Sequence, residues 1–411
     1  MNNKLRLFYG SCFALITTAF SFSIRAGILP QLAETFQLNA TQLGFINSMW
    51  FLGFPISMVI GGLFYYQIGP KRIMIFAFFA HTLGILLTIY SGGYTGLLIS
   101  TLLLGLGNGC TEAACNPMIA DSYTGKQMNT LLNRFHMWFP GGIVIGSLVS
   151  LGMTHLKLGW EAQIWIILLP TLVYAWLFYG QEFPKPHHKE SISVVENLKA
   201  MATPLFIFIA ACMTLTAISE FGPQQWTGII MASSGAEPMV ILALVTGLMA
   251  VGRYFGGGIV GKFDQTGVLL GSAIFTTIGI YLFSTVTGGM VYVAAIFFAV
   301  GVCYFWPNMI GFVAEKIPKS GAFGMSVVGA MGMFSTSMWN PVIGGWIDEG
   351  RVRAAANGLT GAELELAAGQ ETMKYMIIFP AVLIVLFTLL WFWVKRRKPE
   401  AQSAAQPVAH H

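Results

Sequence analysis

The chain has 411 residues, of which 55% are hydrophobic and only 9% charged, with a net charge of +5. A water-soluble domain carries about 25% charged residues, so the composition excludes a soluble enzyme and describes a polytopic membrane protein. The positive excess calls for no nucleic-acid partner, because its placement follows a membrane orientation rule.

Apolar runs of about 20 residues, each long enough to cross about 30 Å of hydrocarbon, are predicted at 7–29, 41–66, 73–92, 95–121, 130–154 and 160–180. After a break they resume at 204–232, 238–261, 267–288, 291–315, 321–347 and 372–394. The first run has no clear small-residue cleavage site, so no removable signal is expected. The reading is an all-α integral membrane protein with twelve transmembrane helices. Its expected units are an N-terminal six-helix bundle (1–180), a cytoplasmic linker (181–203), a C-terminal six-helix bundle (204–394) and a basic cytoplasmic tail (395–411). The linker carries a His187-His188-Lys189-Glu190 run, and the closing His410-His411 pair reads as a purification-tag remnant. The polar stretch 348–371 predicts a small extramembrane helix with Glu363 and Glu365.

Orientation follows from lysine and arginine placement. With both termini inside, fifteen basic residues fall on the cytoplasmic side against four outside (Lys157, Arg351, Arg353, Lys374). The expected location is the inner cell membrane, multi-pass, with both termini cytoplasmic. Arg25, Arg134 and Arg253 lie in or at the ends of spans. Five cysteines sit in apolar runs without paired metal spacing, so neither a disulfide framework nor a metal site is expected.

The halves echo each other. Gly62 to Arg72 reads GLFYYQIGPKR and Gly257 to Gly267 reads GGIVGKFDQTG, with Gly69 and Gly267 placed 198 residues apart. A six-plus-six chain with related halves places its solute site near the midplane, between them.

The richest polar stretch inside an apolar run is Gly105 to Asp121, GLGNGCTEAACNPMIAD. Asn108, Glu112 and Asn116, spaced by four, are expected on one helix face. A carboxylate in hydrocarbon costs about 3 kcal/mol on insertion scales, so Glu112 should face a partner or a watery cavity. Either these side chains glue two helices, or Glu112 is a coupling or solute-binding carboxylate. The second reading is preferred.

The layout resembles the major facilitator superfamily, whose loop between helices 2 and 3 reads roughly G-x-x-x-D-x-x-G-R-K. Gly62, Gly69 and Lys71 fit, whereas Tyr66 and Pro70 depart from it; Asp264 and Gly267 fit in the second half. Within the superfamily the chain is similar to the fucose–galactose–glucose:proton symporter group. That similarity rests on five stretches, taken in order: Ile28-Leu29-Pro30-Gln31, Cys110 through Pro117, Leu132-Asn133 with His136, Phe139, Gly142 and Gly146, Glu220 with Trp226, and Trp306-Pro307-Asn308 with Asn340-Pro341. The resemblance implies two pseudo-symmetric six-helix bundles working by alternating access. It also implies a glutamate, here Glu112, tied to proton coupling and sugar binding. Where the fucose branch carries an acidic polar set in helix 1, this chain has Ser23-Ile24-Arg25-Ala26, which points away from fucose itself.

On this reading Arg25, Glu112 and His136 are the expected coupling residues. Glu112 would alternate between an arginine-paired and a protonated, solute-bound state. A permanent Arg25–Glu112 brace is the structural alternative. A third reading makes Arg25 a bidentate clamp for a carboxylate or sulfonate on the solute. The expected solute-binding set is Asn47, Asn108, Glu112, Asn116, Asn133, His136, Glu220, Gln224, Gln225, Trp226, Asn308 and Asn340, since sugars want amides beside an indole. Trp50 on helix 2 is a further cavity candidate.

No GK[ST] phosphate loop, HExxH or supported Ser-His-Asp set occurs, so neither catalysis nor ATP hydrolysis is expected. No cofactor is expected; the coupling ion is H+, with Na+ as the alternative. The expected function is import of a monosaccharide or sugar derivative with a cation. The alternatives are an anionic solute clamped by Arg25, export of drug-like metabolites, and a non-transporting sensor. The expected partners are a small-molecule solute and the bilayer, and the expected state is a monomer.

Overall fold

The computed structural model describes residues 2–123, 125–184 and 194–403. Side chains at 125, 126, 129, 130, 133, 194, 255–262, 322 and 397–403 are excepted. The expectations placed on the linker stretch 185–193, on the Asn133 side chain and on His410-His411 lie outside the described residues.

Helices follow the apolar runs because a chain in hydrocarbon must pair its own backbone. The first group comprises α1 (Asn3–Phe36), α2 (Ala40–Leu63), the short α3 (Tyr65–Ile68), α4 (Pro70–Tyr90), α5 (Tyr94–Ser122), α6 (Gly125–His155) and α7 (Trp160–Phe178). The short α8 (Val194–Met201) precedes the second group. That group is α9 (Pro204–Ile230), α10 (Pro238–Phe283), α11 (Met290–Val302), α12 (Phe305–Lys316), α13 (Gly321–Ala356), α14 (Gly361–Met376) and α15 (Ile378–Ser403). Among the described residues, ten helical stretches are long and apolar enough to cross a membrane, and Pro238–Tyr254 is a shorter apolar one. Helix α13 falls outside that group because glycines and polar residues such as Ser335, Thr336, Ser337 and Asn340 interrupt its apolar character.

Three boundaries differ from the sequence expectation. The spans at 238–261 and 267–288 run on as one helical path bent at Asp264 (φ 57°, ψ 168°). The bend is tied by the Asp264 carboxylate, which accepts from the Gly267 N–H at 2.9 Å and the Thr266 hydroxyl at 2.7 Å. The span at 291–315 is broken between α11 and α12 at Cys303 and Tyr304. The extramembrane helix around Glu363 and Glu365 leads almost directly into the last span, with only Ile377 between α14 and α15.

Helices α1, α2 and α6 pack against α9, α13 and α10, so the two groups meet along three helix pairs. The join is tight on the side away from the chain termini. A methyl on Gly44 would come within 2.5 Å of the Asn340 carbonyl oxygen, and one on Gly228 would strike the Ala26 carbonyl. Only glycine allows backbones this close. At the same end the Asp348 carboxylate of α13 accepts from the first amides of α2, Ala40 N–H at 3.0 Å and Thr41 N–H at 2.8 Å, and from the Thr41 hydroxyl at 2.7 Å. Deeper in, the Ser48 and Ser337 hydroxyls stand 3.0 Å apart. Among the described residues, the hydrogen bonds joining the two groups run between α2 and α13 at this far side. Toward the termini, Glu112 and Asn116 are half-buried and His136 is exposed. The cleft between the groups is therefore sealed at the far side and open on the side that carries the termini.

Candidate functional site

A layer of aromatic rings closes the inner end of the far-side seal. Phe22 of α1 packs on Trp50 and Phe51 of α2 and on Phe221 of α9, with centroids 5.7, 6.2 and 6.0 Å away. Phe139 of α6 and Trp306 of α12 extend the layer, 6.3 Å from Phe22 and 6.2 Å from Phe221 respectively. Each ring belongs to an apolar helix face, and together they are drawn from both groups.

One helical turn farther from the termini stand polar groups that find no partner. Arg25 is 4% exposed, and all three of its guanidinium nitrogens are buried without a hydrogen bond. Its guanidinium carbon lies 5.5 Å from the Trp50 ring centroid, a cation–π contact. Asn47 and Gln225 are fully buried, and both the oxygen and the nitrogen of each side chain are unpaired. A buried charge without a partner costs several kcal/mol, and each unpaired amide group costs about 1–3 kcal/mol. Three such residues stand on α1, α2 and α9, helices that pack across the line where the two groups meet, and make this level the candidate place for a polar ligand. Beside them Trp226 donates its indole N–H to the Asn340 side-chain oxygen at 2.9 Å, and Asn340 donates to the Thr336 carbonyl at 2.8 Å. The Trp226 N–H is thus already committed.

The other expected residues distribute differently. Asn108 does not line the cleft with Glu112 and Asn116. It turns into the first group, where its amide donates to the Ser21 hydroxyl at 3.2 Å and its oxygen meets His81 Nε2 at 2.9 Å. Trp50 donates to the same Ser21 oxygen at 3.0 Å, and His81 Nδ1 meets the Tyr174 hydroxyl at 3.0 Å. An amide oxygen only accepts, so His81 carries its proton on Nε2 and accepts from Tyr174 on Nδ1. Four-residue spacing drifts about 40° per step on a helix, which is enough to turn Asn108 off the face Asn116 occupies. Sequence reasoning missed this buried string; a lone histidine inside the apolar run of α4 was the available signal.

Glu112 is held by its own helix, its carboxylate accepting from the Asn116 amide at 2.5 Å. Among the described residues no guanidinium nitrogen of Arg25 has a hydrogen-bond partner, its contact being with the Trp50 ring, so the expected Arg25–Glu112 pair does not form in this conformation. The two sit on opposite sides of the aromatic layer, one toward the seal and one in the open vestibule. His136 is exposed, one turn from Phe139 toward the termini. Glu220 pairs with Arg253 of α10 at 3.5 Å, a partner the sequence did not suggest. Gln224 turns toward Met249 of α10, with nitrogen to sulfur 3.6 Å, rather than to the cleft. The Asn308 amide nitrogen is buried and unpaired on α12.

Residues 11–340 match the profile of the Major Facilitator Superfamily. The chain belongs to the Major Facilitator Superfamily. It is therefore a multi-pass membrane transporter of a small-molecule solute. Among solved superfamily structures, it superposes on a bacterial homologue of the human lysosomal transporter Spinster with a TM-score of 0.76 at 16% identity, covering 95% of this chain and 97% of that one. The fucose:proton symporter of E. coli superposes at 0.59 and 16% identity, covering 93% and 99%. By sequence it is similar to a hexuronate transporter of Bacillus subtilis (strain 168), 27% identical over 176 residues. That match covers 43% of this chain and 41% of the relative, so the chain spans less than half of that protein's length. It is also 22% identical to a 3-(3-hydroxy-phenyl)propionate transporter of Escherichia coli (strain K12), covering 99% of this chain and 97% of the relative. The orphaned Arg25, Asn47 and Gln225 stand on α1, α2 and α9, helices that pack across the junction of the two groups, and so make the candidate solute site.

Proposed function

We propose that this transporter carries a small organic anion, a solute with a carboxylate on a hydroxylated or ring-shaped body such as an acidic sugar. The observation that carries the reading is Arg25: a guanidinium buried at the junction with all three nitrogens unpaired. A neutral hexose leaves that charge uncompensated, whereas a carboxylate accepts two parallel N–H bonds from it. Asn47 and Gln225 supply amides for hydroxyl or carbonyl groups, and the Trp50 face beneath Arg25 supplies a flat apolar floor. The names of two relatives, a hexuronate and a hydroxyphenylpropionate transporter, support the same class, since both solutes are carboxylates.

The bodies that rock are 1–180 and 204–394, joined by 181–203. The protein sits in the inner membrane as a monomer, its termini and the vestibule facing the cytoplasm, in keeping with the basic residues on that side. Import is driven by a proton. Glu112, Asn116 and His136 line the vestibule through which the solute leaves.

The test is thermal stabilisation of the purified protein by uronates, aromatic propionates, sulfonated sugars and neutral hexoses. A rise in melting temperature with carboxylates that is lost in R25M supports the proposal. A rise with neutral hexoses that survives R25M overturns it and restores the neutral-sugar reading.

A further inference from the structure

A second buried charge, on the same helix as Gln225, remains unused by that reading. The Glu220 carboxylate on α9 is 4% exposed, and its ion-pair partner is Arg253 of α10, which is 26% exposed. The contact is a single one at 3.5 Å between Arg253 Nη2 and Glu220 Oε1, longer than the 2.7–2.9 Å of a strong charge-assisted hydrogen bond. Arg253 is anchored elsewhere: its Nε donates to the Cys303 carbonyl at 2.9 Å. That carbonyl lies at the break between α11 and α12. The Tyr304 hydroxyl closes the same corner, donating to the Gly252 carbonyl at 2.8 Å. One arginine, itself about a quarter exposed, thus holds a carboxylate on α9 and a broken helix end together. The residue after Glu220 is Phe221, and two residues after Tyr304 comes Trp306; these two rings pack on each other in the aromatic layer.

We infer that Glu220 is the proton site of this transporter and that its pair with Arg253 is the switch through which a proton acts on the aromatic layer. The inference rests on the transport reading above but not on the nature of the solute. Glu220 takes one proton from a hydronium ion, giving a neutral acid and a water molecule, and no electrons move. The neutral acid no longer attracts Arg253. The tie between α9 and the α11–α12 break is then lost, and Phe221 and Trp306 are free to repack. The charged or titratable groups facing Glu220 are Arg253 of α10 and the Cys303 thiol at the break. Among the described residues, α1, α13 and α15 bring no charge within ion-pairing distance of it. Glu112, which the sequence suggested for this role, is half-buried and accepts from the Asn116 amide, and among the described residues no cation pairs with it.

The experiment needs no solute. Spin labels on the terminus-side ends of α5 and α12, in the full chain in lipid nanodiscs, report by pulsed-EPR distance how far that side is open as pH is lowered. The ionised pair ties together the terminus-side-open form, so acid should shift the wild-type population away from it. E220Q should be fixed in the acid-type distribution at every pH, while E112Q should keep the wild-type response. Should E220Q fail to fold, E220D keeps a carboxylate and must retain the response with a displaced midpoint. An E220Q or E220D protein titrating as the wild type does, or a wild-type protein indifferent to pH, overturns the proposal. None of these outcomes depends on whether the solute is an anion, so failure here is distinguishable from failure of the anion reading.

Discussion

Arg25 carries the solute argument at the scale of single residues, and it makes two predictions with opposite signs. A buried cation without a partner destabilises the empty protein, and replacing such a charge with an apolar side chain of similar length commonly stabilises by about 1–4 kcal/mol. R25M should therefore melt higher than the wild type when no solute is present. The same variant should bind a carboxylate about a hundredfold more weakly, because it loses charge-assisted hydrogen bonds worth about 3 kcal/mol. Calorimetric melting with and without solute reads both effects; a variant that melts lower and still binds would show that Arg25 has a structural partner in the membrane. Trp226 offers a milder test. Its bond to Asn340 is buried, so W226F strands the Asn340 oxygen and should lower stability by about 1–2 kcal/mol. Transport should survive, since the indole N–H is engaged within the second helix group and is not offered to solute.

Among the elements, α2 and α13 decide which side of the protein is closed. Their crossing is close because Gly44 meets the Asn340 carbonyl and Gly344 meets the Ala40 carbonyl, and it is fastened by Asp348 at the first turn of α2. A carboxylate there satisfies amides that no residue inside α2 can pair, and it meets the positive end of the helix dipole. Arg351 steadies Asp348 at 3.4 Å and grips Glu365 of α14 at 2.8 Å. Losing such a cap costs about 1 kcal/mol, close to a fivefold change in a two-state equilibrium. D348A should accordingly raise the fraction of molecules open at the far side about fivefold, read by fluorescence transfer between dyes at the far ends of α2 and α13. An unchanged distribution would mean that the glycine contacts alone hold the seal.

For the whole molecule, alternating access requires the far side and the terminus side to part in turn as solute crosses. The Ser48 and Ser337 hydroxyls, 3.0 Å apart across the junction, are close enough for a disulfide if both become cysteine. The five native cysteines are free and buried, so oxidation should join the new pair. S48C/S337C should transport when reduced, stop when oxidised and recover on adding a thiol reductant. Full transport by the oxidised protein would show that the seal between α2 and α13 need not open.

Apolar runs of membrane-spanning length gave the all-α membrane fold, because hydrocarbon leaves a backbone no alternative to helix. The same logic singled out Glu112 as a costly charge in apolar surroundings, while Arg25 and Glu220 entered through the resemblance to the symporter group. Helical spacing alone could not say which neighbour each one meets. Arg25 and Glu112 are separated by an aromatic layer assembled from five helices, and Glu220 and Arg253 are brought together across a helix pair. Asn108 was drawn from its expected face by His81, Ser21 and the small angular drift of a four-residue repeat. The continuous path through Asp264 and the break at Cys303 were equally hidden, since both depend on local hydrogen bonds and on packing between helices far apart in sequence. The sequence by itself determined that this chain is a bundle of membrane helices with a few buried charges at its middle. Only the tertiary structure decided which of those charges is left without a partner, because partnership is a matter of distance between helices and not of order along the chain.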